Sequence, residues 1–399
     1  MTDNRRAVRC DVSRAPVALR EDRGRDGPGE RRGTPPRIRV LDPSAIAQAR
    51  TAVILPACNE AKRIGACLQS LAMQDVAQPA AIYLCINNTR DDTAEVALET
   101  LSKMKAPLVL AEFDTGPGGV GEARCVGHRI ARRFSPGATA LLSTDADCLA
   151  DPAWIQSMEE GLCRSPAVLG RIDPLPEECA ALPSIHHARG RIEAAYMTLA
   201  MEFEQLMGTP GLSRIGLNTA GGANLGVRAD VYWTVGGYRS LASGEDRDLM
   251  DRIIAAGFVP DRLKEARIQT STRSAGRAPG GMSDAIAARL VRRDCPLDTA
   301  LLPFKAIIDR QLGNGSGRAS LAMTVSEAVR DTPTLEACVR ILRMLPHGED
   351  RRRYLENLRA GLARPPHTAG ETICRASDLL VAGIESSWQC RQRDRTGCG

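Results

Sequence analysis

Two aspartates one residue apart, Asp145 and Asp147, directly follow the apolar run at residues 140–143. Such a run predicts a buried strand, and the two carboxylates would lie where that strand leaves the sheet. In extended chain, side chains at positions i and i+2 point the same way, roughly 6 to 7 Å apart. This arrangement suits one divalent cation and the phosphate that it carries. A solvated turn at the strand end is the alternative that the pair alone leaves open.

Polar residues follow the other predicted strands in the same way. Apolar runs predict strands at 51–56, 81–86, 108–110 and 140–143, and helical patterns at 64–71, 93–104 and 122–134 alternate with them. This alternation predicts an α/β fold with a parallel sheet covered by helices on both faces. Ligands of such sheets bind at the carboxyl ends of the strands. The residues expected at those ends are Asn59, Glu60, Asn87, Asn88, Asp91, Asp145 and Asp147.

A second group of candidates lies about a hundred residues downstream. The glycine-rich segment 220–227 contains Gly222 and Asn224 and leaves room for the close approach of a ligand. Glu245 and Asp246 begin a predicted helix after Gly244, which Gly257 ends. Acidic residues are favoured in a first helical turn, so these two carboxylates are equally consistent with helix capping alone.

The composition excludes several classes of protein. With 43% apolar but only 3% aromatic residues, the chain can build an aliphatic core but has few rings for stacking the bases of single-stranded nucleic acid. The net charge of +5 permits binding to anionic substrates or peripheral contact with a membrane surface. The thirteen cysteines show no zinc-binding spacing and predict reduced thiols and a cytoplasmic location. No secretory signal or membrane-spanning run is predicted.

The length of 399 residues predicts more than one structural region. Residues 1–48 are rich in arginine, glycine and proline, which predicts a disordered leader. Residues 49–277 carry the strand–helix alternation and all of the candidate site. Residues 278–399 show mainly helical spacing, as at Leu335, Val339, Leu342 and Leu345, and predict a helical appendage.

The motifs and their order resemble family 2 of the inverting glycosyltransferases, which have the nucleotide-sugar-binding GT-A fold. The resemblance covers about residues 51–277. It is carried by the segments 56–60 (Pro-Ala-Cys-Asn-Glu), 88–93, 122–127, 145–147, 221–226 and 245–246.

The resemblance implies transfer of a sugar, of hexosyltransferase type, from a nucleotide-diphosphate sugar to an acceptor hydroxyl. It assigns Asp246 as the general base and Asp147 as the ligand of a divalent cation, Mn²⁺ or Mg²⁺. The donor-binding residues implied are Pro56, Asn59, Glu60, Asn88, Arg124 and Asp145. The acceptor-binding residues implied are Gly222, Asn224 and Glu245.

The sequence departs from the family pattern at two points. Asn88 stands where the family usually has Asp, and no histidine follows the Glu245–Asp246 segment to serve as a metal ligand. The metal would then depend on Asp147, the diphosphate, water and a hydroxyl such as that of Thr272. Arg273 and Arg277 are alternative groups for binding the phosphates. The adjacent His186 and His187 are predicted to lie on the surface, since neighbouring side chains on a helix or strand diverge.

Two other functions are compatible with a fold of this kind. A nucleotidyltransferase also uses paired carboxylates, but it normally has a glycine-rich, basic loop after the first strand, which residues 56–60 do not provide. A catalytically inactive scaffold would bind no nucleotide sugar, although every expected carboxylate is present here.

Overall fold

The computed structural model describes residues 8–10, 36–76, 80–114, 119–208, 221–274, 276, 281–292, 294–298, 301–313, 323–346 and 348–362. The chain divides into two compact units. The first unit comprises residues 1–181 and 220–284, and the second comprises residues 182–219 and 285–399.

A ten-stranded mixed sheet forms the first unit, in the order β1-β2-β5-β4-β3-β6-β9-β8-β10-β7. The strands are β1 (Val8–Cys10), β2 (Arg37–Leu41), β3 (Thr51–Ala57), β4 (Ala80–Asn87), β5 (Leu108–Phe113), β6 (Ala140–Ser143), β7 (Cys148–Ala150), β8 (Ala167–Pro174), β9 (Leu225–Arg228) and β10 (Asp261–Thr270). The central strands β5, β4, β3 and β6 are parallel, as the sequence predicts. Antiparallel pairs of β6 with β9 and of β9 with β8 make the whole sheet mixed.

Helices pack on both faces of this sheet. The helices of the first unit are α1 (Pro43–Gln48), α2 (Ile64–Ala72), α3 (Thr93–Met104), α4 (Gly119–Phe134), α5 (Trp154–Arg164), α6 (Pro176–Ala180), α8 (Ala229–Thr234) and α9 (Glu245–Ala255). Val53 and Leu55 of β3 join one core with α2, α3 and α5. On the other face α4 approaches so closely at Gly127 that a Cβ there would lie 2.8 Å from Ile54. The alternation of neighbouring strand residues between two helical layers explains why β3 is buried throughout.

The structure corrects the prediction for the end of the leader. Residues 37–41 form β2, which pairs antiparallel with β5, and residues 43–48 form α1. Ile38 and Val40 are buried, and the carboxylate of Asp42 caps α1 by accepting the N–H of Ala45. Only two large apolar side chains alternate in this strand, which is too short a pattern to stand out from a charged, proline-containing sequence.

The second unit contains a helical core. Its helices include α7 (Ser184–Leu206), α11 (Phe304–Gln311), α12 (Val325–Met344) and α13 (Glu349–Leu362), while α10 (Met282–Val291) spans the boundary between the units. Leu335, Val339, Leu342 and Leu345 are all buried, as their spacing predicts. A capping box between Thr324 and Glu327 starts α12.

Two ion pairs of buried glutamates with half-buried arginines, Glu204 with Arg310 and Glu193 with Arg289, lie within the second unit. His186 and His187 are half-buried on α7, with ring centroids 5.8 Å apart. None of the helices in the described part of the chain is long and apolar enough to cross a membrane.

Candidate active site

The carboxyl ends of β3, β4 and β6 meet at one edge of the sheet, because the three strands are parallel neighbours. Glu60 follows β3, Asn88 follows β4, and Asp145 and Asp147 follow β6. The loops after β3 and β4 are joined by backbone donors: the N–H of Glu60 donates to Thr93 Oγ1 at 2.8 Å. The N–H of Asn59 donates to Thr89 Oγ1 at 3.1 Å. The fold therefore assembles the polar strand ends that the sequence places there.

Asn59 and Asn88 both adopt left-handed backbone conformations, with φ of 52° and 50°. Asparagine tolerates this region better than most residues, so each can form a sharp turn where its strand ends. The Asn59 side chain accepts the N–H of Arg90 at 2.8 Å, and the Asn88 side chain is exposed. Pro56 is buried inside β3, and its contact with the donor stays a prediction.

Arg124 of α4 lies at the centre of the site and is almost fully buried. Its guanidinium donates to Ser143 Oγ at 3.1 Å, to Asp145 Oδ1 at 2.5 Å and to the carboxylate of Glu245. Burial lowers the pKa of Arg124, but Asp145 and Glu245 raise it by more, so the guanidinium stays charged. Arg124 thus joins the acidic motif after β6 to the acidic start of α9. All three guanidinium nitrogens have protein partners, and direct contact of Arg124 with the donor stays a prediction.

His128, one turn further along α4, packs behind Arg124. It is buried, stacks on Tyr232 with ring centroids 4.4 Å apart, and its Nδ1 lies 2.7 Å from the carbonyl oxygen of Arg124. Burial lowers the pKa of His128 to about 3, so the ring is neutral and its Nδ1–H donates to this carbonyl. The stack fixes α4 without adding a charge beside Arg124.

Asp246 is held by a backbone donor from the glycine-rich segment. The N–H of Gly222 donates to Asp246 Oδ2 at 2.7 Å, and the N–H of Arg247 donates to Oδ1 at 2.7 Å. A Cβ at position 222 would lie 2.6 Å from the guanidinium carbon of Arg124, so a larger residue here would displace a guanidinium that Asp145 and Glu245 hold. Asp246 is half-buried and its carboxylate is fixed in direction, as a general base must be.

Two of the predicted acceptor-binding residues, Asn224 and Glu245, have protein partners in the structure. Asn224 is buried, and its amide accepts from Trp154 Nε1 at 2.8 Å and donates to the carbonyls of Arg171 and Ala266. Glu245 is buried against Arg124. Both side chains thus have protein partners, and their direct binding of an acceptor stays a prediction. Gly222 acts through its hold on Asp246.

Arg273 follows β10 and joins two of the predicted donor-site carboxylates. Its Nη1 and Nη2 donate to the two oxygens of Glu60 at 2.7 and 2.5 Å, and Nη2 lies 3.1 Å from Asp147 Oδ2. Burial and then the charge of Asp145 raise the pKa of Asp147 to about 6, although Arg273 opposes the rise. Arg277 lies outside the described residues.

Glu178 of α6 fixes the chain just before Arg273. One of its oxygens accepts from Ser271 Oγ and from the N–H of Thr272, both at 2.7 Å, and the other accepts from Arg63 at 2.7 Å. Burial raises the pKa of Glu178, but these hydrogen bonds outweigh it and hold the pKa below its usual value. The sequence does not single out Glu178, because acidic residues in a first helical turn are common for electrostatic reasons alone.

The donor set near Asp147 fits a cation that arrives with a phosphate ligand. Among the described residues no group of three or more His, Cys, Asp or Glu side chains could hold a metal. Mg²⁺ is typically bound by one or two carboxylates together with substrate phosphates and water. Asp147, with a side chain only 14% exposed, supplies one such carboxylate beyond the carboxyl end of β6. The hydroxyl of Thr272 is buried and makes no hydrogen bond within the described structure.

Residues 52–209 match the model of glycosyl transferase family 2. No curated protein matches the chain. Similar solved structures include TarS residues 1–349 of S. aureus in complex with UDP, with 16% identity and a TM-score of 0.42, covering 85% of this chain and 91% of that one. Another is the mannosyltransferase PcManGT of Pyrobaculum calidifontis with GDP-Man and Mn²⁺, with 16% identity and a TM-score of 0.44, covering 88% and 86%.

A third is glucosyl-3-phosphoglycerate synthase of Mycobacterium tuberculosis with Mn²⁺, UDP and phosphoglyceric acid. It shows 16% identity and a TM-score of 0.37 over 63% of this chain and 80% of that one. The family match confirms the family 2 resemblance drawn from the sequence motifs.

Proposed function

We propose a specific reaction for this chain, which is a glycosyltransferase with a family 2 domain of the GT-A type at residues 52–209. It transfers a sugar from a nucleotide-diphosphate sugar to an acceptor hydroxyl, with inversion at the anomeric carbon. The observation that carries this proposal is the position of Arg124. It contacts Asp145 on the donor side and Glu245 on the acceptor side, and it packs beneath Gly222, which holds Asp246.

The donor would bind along the carboxyl ends of β3, β4 and β6. Asn59 and Asn88 lie where the nucleoside would pass, and Asn88 is exposed. Asp145 keeps a side chain 38% exposed, although one oxygen is bonded to Arg124, so its second oxygen is available to the ribose. Asp147 would hold a divalent cation bound to the diphosphate. When bound, that cation offsets the negative charge that develops on the departing phosphates.

Asp246 would act as the general base. It takes the proton of the acceptor hydroxyl while the acceptor oxygen bonds to the anomeric carbon. The bond between that carbon and the phosphate oxygen breaks, and its electron pair leaves with the nucleoside diphosphate. Attack on the face opposite the leaving group inverts the configuration, as when a carboxylate activates water in an inverting glycosidase. The backbone donors on Asp246 keep its carboxylate aimed without neutralising it.

The difference in burial between Glu245 and Asp246 supports different roles for these two carboxylates. Burial raises the pKa of Glu245, and the Arg124 guanidinium only partly offsets this rise. With a side chain 4% exposed and paired with Arg124, Glu245 is placed to hold Arg124 rather than to meet an acceptor. Asp246, half-buried and next in the chain, is the carboxylate that an incoming hydroxyl can meet.

A screen of UDP-, GDP-, ADP- and dTDP-sugars for hydrolysis, with and without Mn²⁺, tests the proposed function and identifies the donor without knowledge of the acceptor. We expect slow release of one nucleoside diphosphate together with a sugar of inverted anomeric configuration, read by NMR. Retention of configuration would contradict the inverting mechanism. Release of pyrophosphate from a nucleoside triphosphate and a sugar phosphate, with no hydrolysis of any nucleotide sugar, would indicate a nucleotidyltransferase instead.

A further inference from the structure

Arg273 blocks the carboxylate that the proposed function assigns to the cation. Its Nη2 lies 3.1 Å from Asp147 Oδ2. A divalent cation bound to that oxygen would lie beside the positively charged guanidinium and be repelled by it. The same guanidinium makes a bidentate contact with Glu60, whose side chain is 5% exposed. Paired contacts of this kind are strong and directional. Oδ2 of Asp147 is therefore not available to a cation while Arg273 keeps this position.

The backbone beneath Arg273 is fixed. Glu178 accepts hydrogen bonds from Ser271 and Thr272, and the N–H of Arg273 donates to Ser271 Oγ at 3.2 Å. Glu178 holds the backbone before Arg273, and Glu60 holds its guanidinium. Arg273 can therefore break its contact with Asp147 and keep its position. The contact of Arg273 with Asp147 is longer than its two contacts with Glu60, and we expect it to be the weakest of the three.

Two donors beside this contact are not used within the described structure. The Arg273 Nε–H and the Thr272 hydroxyl are buried without a hydrogen-bond partner. Buried donors are rarely left unsatisfied, and phosphate oxygens are strong acceptors for an arginine. A diphosphate next to Asp147 would supply the missing acceptors.

The charges of the site favour joint arrival of a cation and a diphosphate. Five carboxylates converge here against the guanidinium groups of Arg124 and Arg273. The carboxylates are those of Glu60, Asp145, Asp147, Glu245 and Asp246. A nucleoside diphosphate alone meets excess negative charge, and a cation alone meets an Asp147 that is already paired. In a nucleotide–cation complex the cation offsets the charge of the diphosphate, and the phosphate offers Arg273 a partner in place of Asp147.

We infer that Arg273 is a phosphate-binding residue that exchanges partners when the donor binds. In the free protein it bridges Glu60 and Asp147. When a nucleoside diphosphate carrying a divalent cation arrives, Arg273 stays on Glu60, turns its free donors to a phosphate oxygen and releases Asp147 to the cation. This inference rests on the proposed function, since it requires a nucleotide-diphosphate donor at these strand ends.

The exchange predicts that one substitution, Arg273→Gln, changes two affinities in opposite directions. Without nucleotide, the released carboxylates of Glu60 and Asp147 become a two-ligand site, so Mn²⁺ should bind roughly tenfold more tightly than to the wild type. The affinity for UDP or GDP in the presence of Mn²⁺ should fall roughly 10- to 100-fold, because a charge-assisted contact with the phosphate is lost. Loss of fold alone would weaken both.

The experiment uses the full chain, with Mn²⁺ binding followed by electron paramagnetic resonance and nucleotide binding by calorimetry. The matched control is Arg228→Gln, which removes a partly exposed arginine whose ion pair within the described residues is with Asp230. Both affinities of the control should match those of the wild type. Arg273→Lys provides a second variant that keeps a charge beside Glu60. It should bind Mn²⁺ no better than the wild type but bind the nucleotide more weakly.

The inference is overturned if Arg273→Gln binds Mn²⁺ no more tightly than the wild type in the absence of nucleotide. It is also overturned if the nucleotide affinity of this variant is unchanged. A different result defeats the proposed function itself: no binding of any nucleoside diphosphate to the wild type, with or without Mn²⁺. The two failures are therefore distinguishable.

Discussion

Replacement of Arg124 by methionine removes the charge that holds the two acidic segments together. Methionine fills much of the same space but leaves Glu245, with a side chain 4% exposed, without its cation. Breaking a buried ion pair on one side typically costs about 3 to 5 kcal/mol of unfolding free energy. Asp145 is more exposed, at 38%, and contributes less because water can solvate it. We therefore expect a loss of about 3 kcal/mol in the first unit.

The pH dependence of this loss has a definite sign. Burial already raises the pKa of Glu245, and removal of Arg124 raises it further. A carboxyl group with a folded-state pKa above its unfolded value contributes stability that is full below the unfolded pKa. That contribution is lost as the pH rises through the folded value. The destabilisation by Arg124→Met should thus be smaller near pH 5 than near pH 8.

The measurement is urea unfolding followed by the fluorescence of Trp154 and Trp233, which both lie in the first unit. The double variant Arg124→Met/Glu245→Gln, which replaces the unpaired carboxylate by a neutral amide, should recover more than half of the lost free energy. If the double variant is no more stable than Arg124→Met at pH 8, the buried charge on Glu245 is not the cause. A destabilisation that grows as the pH falls would refute the sign of the argument.

Gly222→Ala should lower the turnover at least tenfold with little change in nucleotide affinity, because a Cβ would lie 2.6 Å from the Arg124 guanidinium and displace the N–H that holds Asp246. Equal turnover of the variant and the wild type in the hydrolysis assay would contradict this. Asn224→Ala should destabilise the first unit by about 2 to 4 kcal/mol in urea unfolding, because it leaves Trp154 Nε1 and two backbone carbonyls without their partner. An unchanged stability would contradict this structural role of Asn224. The raised pKa of Asp147, about 6, predicts that the stability of the nucleotide-free protein falls as the pH rises from about 4 to 7, and that Asp147→Asn flattens this part of the profile.

Periodicity and turn chemistry predict much of the sheet that carries the site. Buried runs such as 51–56 have no polar interruptions, so the parallel strands and the polar residues at their ends could be located from the sequence. The strand at 37–41 was missed because it alternates arginine with single apolar residues at the edge of a charged segment. This strand is stabilised by its pairing with β5, a contact between distant segments that the local sequence pattern does not predict.

The roles of the side chains were less predictable than their positions. Asn224 and Glu245 belong to the site by sequence order, yet both are buried and satisfied by protein partners. Whether a polar residue faces a ligand or supports another residue depends on contacts with distant segments. Arg124 meets Glu245 across 121 positions of sequence, and Arg273 meets Glu60 across 213.

The most direct test of the account compares two properties of Asp246→Asn: hydrolysis of the donor identified in the screen, and affinity for its nucleoside diphosphate. Removal of a general base lowers turnover by about 10²- to 10⁴-fold. Asparagine preserves the acceptor atom for the Gly222 N–H, so the nucleotide affinity should remain within about threefold of the wild type. A turnover equal to that of the wild type, or an equal loss of turnover and of nucleotide affinity, would contradict the assignment of Asp246 as the base.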